Sequence, residues 1–116
     1  MMIGIVRKGF PRLTVELAGR SGTESAEFVV DTGFDGDLAL SANAVRDPQT
    51  TLQGVQIRST ADGNYIQVEV HTARDRWREV ELLVLGGSPL LGMTLLNGSH
   101  VDIEATEGGE LLIETL

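Results

Sequence analysis

The chain has 116 residues, 41% hydrophobic and 22% charged, a balance that supports one compact folded unit over residues 1–116 and argues against wholesale disorder. Nine basic residues against seventeen acidic ones give a net charge of −8, which disfavours nucleic acid and an anionic membrane surface as partners. There is no cysteine, so disulfides, thiolate zinc sites and a cysteine nucleophile are all excluded.

Residues 1–10 include Arg7 and Lys8 and hold no apolar run long enough for a signal peptide or a membrane span. A cytoplasmic location is therefore expected. Short β-branched or alternating runs, separated by Gly, Asn and Asp clusters, then recur at about ten-residue spacing, the pattern of an all-β barrel or sandwich. Strands are predicted at residues 3–6, 13–17, 26–30, 55–59, 66–72, 77–84, 101–104 and 111–114. Alternation is clearest where Ile66, Val68 and Val70 oppose Gln67, Glu69 and His71, and where Val80, Leu82 and Val84 oppose Glu79 and Glu81. Asp62-Gly63-Asn64 has the residue chemistry of a tight hairpin tip, and Glu107-Gly108-Gly109-Glu110 marks a second hairpin between the last two strands. Helix is expected only at residues 93–96, started after Gly92 and stopped by Asn97-Gly98, with an added turn at residues 41–45. The chain has no internal repeat, low-complexity tract or linker.

The feature richest in chemistry is Phe28-Val29-Val30-Asp31-Thr32-Gly33, an apolar strand that runs directly into a carboxylate, a hydroxyl and a glycine. An ionised Asp at the end of a buried strand is costly unless donors surround it, and the Thr32 hydroxyl and nearby backbone amides supply them. Alone, Asp-Thr-Gly is also a good turn. Further on, Leu82-Leu83-Val84-Leu85 leads to Pro89-Leu90-Leu91-Gly92-Met93, so two apolar residues and a glycine stand just before the short helix.

Taken with the hairpin between them, these two segments resemble the retropepsin-like aspartic proteases, and the resemblance spans most of the chain. It implies an all-β acid-protease closed barrel with one short helix in the C-terminal half and a flap hairpin. It also implies an aspartic endopeptidase that needs no cofactor and no metal. Hydrolysis by carboxylates alone takes two of them, one accepting a proton from water while the other donates to the carbonyl oxygen. Only one Asp-Thr-Gly is present, so the resemblance implies a homodimer in which each chain contributes Asp31 to a pair that titrates as one unit. By the same resemblance Thr32 locks the two loops across the axis and Gly33 lets a peptide or protein substrate approach. Flap residues Ala61, Asp62, Gly63 and Asn64 close over that peptide. Leu90, Leu91 and Gly92 pack behind the Asp loop, and the terminal strands are candidates for the interface sheet. An inactive dimeric peptide-binding module on the same fold, or a monomeric barrel with Asp31 in a plain turn, are the competing readings.

Several positions depart from the viral pattern. Phe34 follows the glycine where a small residue is usual, and it is expected either to fill part of the groove or to face the core. Asp35 matches an acidic residue that contacts substrate main chain, yet the arginine that accompanies it is replaced by Met93, so Asp35 is read as a solvated loop charge or a substrate contact. Other motifs fail on chemistry. The frame from Gly87 to Gly92 lacks the lysine of a phosphate loop. Counting Asp31 as the first position of a calcium loop puts Gly33 and Ala42 where ligands belong. His71 and His100 have no zinc spacing, the serines have no nucleophile elbow, Trp77 reads as packing, and Arg74, Arg76 and Arg78 read as part of a solvated mixed face.

Overall fold

The computed structural model describes residues 1–19, 22–46, 58–60 and 63–116. Ten strands form one sheet: β1 (Met2–Arg7), β2 (Phe10–Gly19), β3 (Gly22–Val30), β4 (Leu38–Leu40), β5 (Arg58–Thr60), β6 (Gly63–His71), β7 (Trp77–Val84), β8 (Leu90–Leu91), β9 (Ser99–Ile103) and β10 (Glu110–Thr115). Two short helices, α1 (Ala42–Arg46) and α2 (Met93–Leu96), complete the described elements. Neither is long and apolar enough to cross a membrane.

The sheet runs β5-β6-β7-β4-β8-β3-β2-β1-β10-β9, and β6 also pairs with β2 through Leu17↔Val70 and Ala18↔Glu69. That added pairing joins β2, β3, β8, β4, β7 and β6 into a ring. Alternation along the long strands fills it. Leu13, Val15 and Leu17 of β2, Phe28 and Val30 of β3, Ile66, Val68 and Val70 of β6, and Val80 and Leu82 of β7 are all buried in one cluster. Their strand neighbours face water, the division a sheet with one wet side requires.

Turn chemistry sets the register. Lys8 and Gly9 both take positive φ, 55° and 81°, the two-residue geometry that joins β1 to β2 without splaying them. Nothing in the Arg7-Lys8-Gly9 sequence had marked this hairpin. The second expected hairpin is present, and its Gly108 has φ 80°. The turn docks on β1 through Gly108 N–H to the Val6 carbonyl and Val6 N–H to the Gly109 carbonyl, 2.8 and 2.9 Å. At the expected flap, Thr60↔Gly63 and Ser59↔Asn64 pair in the β5–β6 ladder, and the Ser59 hydroxyl donates to Asn64 Oδ1 at 2.8 Å. Gly63 and Asn64 are therefore strand positions and not tip positions; Ala61, Asp62 and the first part of the strand predicted at 55–59 lie outside the described residues.

The terminal strands differ from the simplest expectation for an interface sheet. Both edges of β10 are occupied within the chain, by β1 and by β9, and β1 is paired with β10 and β2. Among the described residues β9 ends the order on this side and has β10 as its one strand partner, while Ile3 and Ile5 of β1 are exposed. Gly4 allows this corner to close: a Cβ there would lie 2.1 Å from the Arg12 carbonyl oxygen and 2.9 Å from Leu111 Cδ2. Gly4→Ala should accordingly cost about 1–3 kcal/mol, the range for overpacked interiors, and an unchanged melting temperature would show that β1 and β2 separate freely at this point.

Candidate active site

Strand β3 delivers Asp31. Val30 is its last buried residue, and the chain then turns through residues 31–37 before entering β4. Strand β8 fills the gap between the two, parallel to β3 through Val29↔Leu90 and Val30↔Leu91 and antiparallel to β4 through Leu38↔Leu91. The Asp31 N–H donates to the Leu91 carbonyl at 2.9 Å. The residues predicted at 90–92 to stand behind the Asp loop are thus bonded directly to it.

The carboxylate of Asp31 is half-buried, and its Oδ1 accepts the Gly33 N–H at 2.8 Å. This is an Asx turn, in which an aspartate side chain closes on the amide two residues ahead. A Cβ on Gly33 would lie 3.2 Å from that oxygen, so glycine leaves the approach open. Thr32 is exposed, and its hydroxyl makes no hydrogen bond among the described residues. Asp35 is also exposed; its backbone carbonyl accepts the Thr94 hydroxyl, while its carboxylate has no partner among the described residues.

The same loop caps α2. A helix start leaves its first amides without internal partners, and here the Gly92, Met93 and Thr94 N–H groups donate to the carbonyls of Asp37, Phe34 and Gly36 at 2.9, 2.8 and 3.2 Å. Gly92 is the residue this closeness demands. A Cβ there would fall 2.4 Å from the Gly36 oxygen, 2.5 Å from the Phe34 oxygen and 2.6 Å from the Phe34 ring. Phe34 is half-buried, and its ring also lies against Gly36, 2.6 Å from where a Cβ would stand. Its place is inside the loop, between two glycines.

Asp37 and Arg78 belong to this site although neither was singled out for it. Arg78 lies on the face of β7 that holds buried Val80 and Leu82 and pairs across to Val70; its side chain is solvated, as expected, yet reaches an internal partner. Its Nη2 lies 3.5 Å from Asp37 Oδ1. Only 13% of the Asp37 side chain is exposed and Oδ1 has no hydrogen bond, so Arg78 is the group that compensates this carboxylate. The alternation of β7 carried the signal, since Arg78 is two residues before Val80. Arg74 and Arg76 lie in the turn before the strand.

The flap residues Gly63 and Asn64 are part of the β5–β6 hairpin and not of this loop. The structure thus gathers Asp31, Thr32, Gly33, Phe34, Asp35, Leu90, Leu91 and Gly92 into one assembly and leaves the hairpin as a separate element.

A crystal structure of a retropepsin-like aspartic protease from Rickettsia conorii is similar to this chain with a TM-score of 0.53 at 18% identity, over 97% of this chain and 90% of that one. The likeness shows the fold: an all-β retropepsin-like architecture, as the ordered sequence elements implied. No family model matches the sequence, and no curated protein matches it.

Two outcomes follow from these contacts. Gly92→Ala should destabilise the fold by about 1–3 kcal/mol, whereas Gly86→Ala, with nothing within 4 Å of its Cβ position, should be close to neutral; equal melting temperatures for the two variants would contradict the crowding at Gly92. Arg78→Met should cost on the order of 1 kcal/mol, kept small because the arginine is 44% exposed and solvent screens it. On an Asp37→Asn background most of that cost should vanish, and strictly additive losses in a double-mutant cycle would dissolve the pairing.

Proposed function

We propose that this chain is one half of a homodimeric aspartic endopeptidase, with Asp31 as the catalytic carboxylate. The observation that carries the reading is the half-buried Asp31 at the end of an apolar strand, its Oδ1 held by the Gly33 amide in a loop braced by β8 and α2, on a fold shared with retropepsin-like proteases. A carboxylate held in this way is pre-oriented, and its remaining oxygen has no hydrogen-bond partner among the described residues.

Peptide hydrolysis needs a second acid. With two Asp31 side chains brought to about 3 Å across a two-fold axis, one proton is shared between them. The ionised carboxylate takes a proton from a water molecule as its oxygen adds to the scissile carbonyl. The protonated one donates to the carbonyl oxygen, giving a neutral gem-diol; the carboxyl that took the water proton then passes it to the departing nitrogen while the other carboxylate takes a hydroxyl proton from the diol, and the C–N bond breaks to leave a carboxylic acid and an amine. Thr32, exposed and with no side-chain hydrogen bond among the described residues, binds its twin across the axis. Gly33 leaves room for substrate main chain, and the β5–β6 hairpin supplies the flap. Exposed Asp35 is placed to meet a substrate amide. Exposed Ile3 and Ile5, with the unpaired edge of β9, are the surfaces of the terminal strands left for a second copy.

The decisive experiment incubates the purified protein with a denatured protein mixture at mildly acidic and at neutral pH, beside Asp31→Asn. The wild type should cleave, and the near-isosteric variant should lose turnover while sedimenting as the same dimer. Identical fragments from both proteins, or none from either, would favour the peptide-binding module, and an active monomer would sink the shared-acid mechanism.

A further inference from the structure

A cavity of about 340 Å³ opens between the β6–β7 turn, α2 and the terminal strands. Among the described residues none of the loop 31–37 lines it, but Arg78, the partner of Asp37, and Leu91, whose carbonyl takes the Asp31 amide, do, so it adjoins the Asp31 loop from behind. Leu13, Val15, Leu91, Leu95 and Ile113 make an aliphatic wall. The polar side carries His71, Arg74 and Arg78, and among the described residues no aspartate or glutamate lines it. In a chain of net charge −8, a lining with two arginines and no acid among the described residues stands apart.

The three basic side chains are not equally available. Arg78 faces Asp37 at 3.5 Å, and His71 Nε2 faces Asp75 Oδ1 at 3.1 Å. Arg74 makes no ion pair or hydrogen bond among the described residues, and its Nη2 stands 3.3 Å from where a Cβ of Gly98 would be. A planar guanidinium with its donors uncommitted matches a carboxylate in bidentate geometry. Aliphatic lining with a few convergent polar groups is the usual make-up of a small-ligand site, and the volume lies within the usual range.

We propose that this cavity binds an amphipathic carboxylate, its headgroup on Arg74 and a medium-length aliphatic tail against Leu13, Val15, Leu91 and Leu95. Neither the geometry nor the test depends on Asp31 being catalytic.

Decanoate is the probe, titrated into the full chain by calorimetry and by the fluorescence of Trp77, whose ring meets His71 edge-on at 5.4 Å between centroids. Saturable binding of one decanoate per chain is expected. Arg74→Glu should weaken it by at least about tenfold, the scale of one charge-assisted hydrogen bond. Arg76→Glu, in the same turn but outside the cavity lining, should leave it unchanged, and decylamine should not bind. Thermal melts identify any variant that has lost its fold, and Leu95→Trp, which fills the space from the apolar side, then replaces a misfolded Arg74 variant and should abolish binding. The proposal is overturned by a titration that does not saturate, by decylamine binding as well as decanoate, or by equal losses from the Arg74 and Arg76 variants.

Discussion

The site depends on backbone polar groups that have few other places to go. A two-residue strand wedged between β3 and β4, followed at once by a four-residue helix, would leave a row of amides unpaired in the interior, which is expensive. Residues 31–37 meet that need: the carbonyls of Phe34, Gly36 and Asp37 take the amides at the start of α2, and Leu91 takes the amide of Asp31. Each side therefore holds the other in place. The loop cannot shift without exposing the helix start, and the carboxylate of Asp31 inherits the rigidity of the barrel beneath it. Binding and catalytic groups held by rigid elements keep their geometry better than those on free loops.

The glycines of this region owe their place to closeness more than to unusual backbone angles. At Gly92 two carbonyl oxygens and an aromatic ring occupy the volume a side chain would need. Phe34 belongs to the same arrangement, since its ring takes the space that Gly36 and Gly92 leave empty. A bulky residue directly after Asp-Thr-Gly is therefore compatible with an open face at Asp31, because it turns into the loop.

Much of this was legible in the sequence for physical reasons. Period-two alternation located β6 and β7, because one face of each is buried and the other wet; Gly92 followed by Asn97-Gly98 bounded α2. The juxtaposition of residues 31–33 with residues 90–92 came from a family resemblance, since no local rule reports which distant segments pair. Strands β4 and β8, three and two residues long, were missed as strands because runs so short have no period to detect. The Lys8-Gly9 turn was missed because lysine gives no turn signal. Arg78 is solvated as its charged neighbours implied, but its ion pair with Asp37 was not legible, because no local rule reports that the loop before β4 comes against the start of β7. Asp37 was then left without its partner.

Ring closure rests on a short seam, two residue pairs between β2 and β6. Residues near positions 17 and 70 must find each other across most of the intervening chain, and the entropy of closing so large a loop has to be met before those contacts return anything. The hairpins β1–β2 and β6–β7, joined by local turns, have no such handicap. Without that seam β2 and β6 would each present an unguarded row of amides and carbonyls to solvent at these positions; the pairing that costs most in chain entropy is also one that hides edges by which nascent chains would cling to one another.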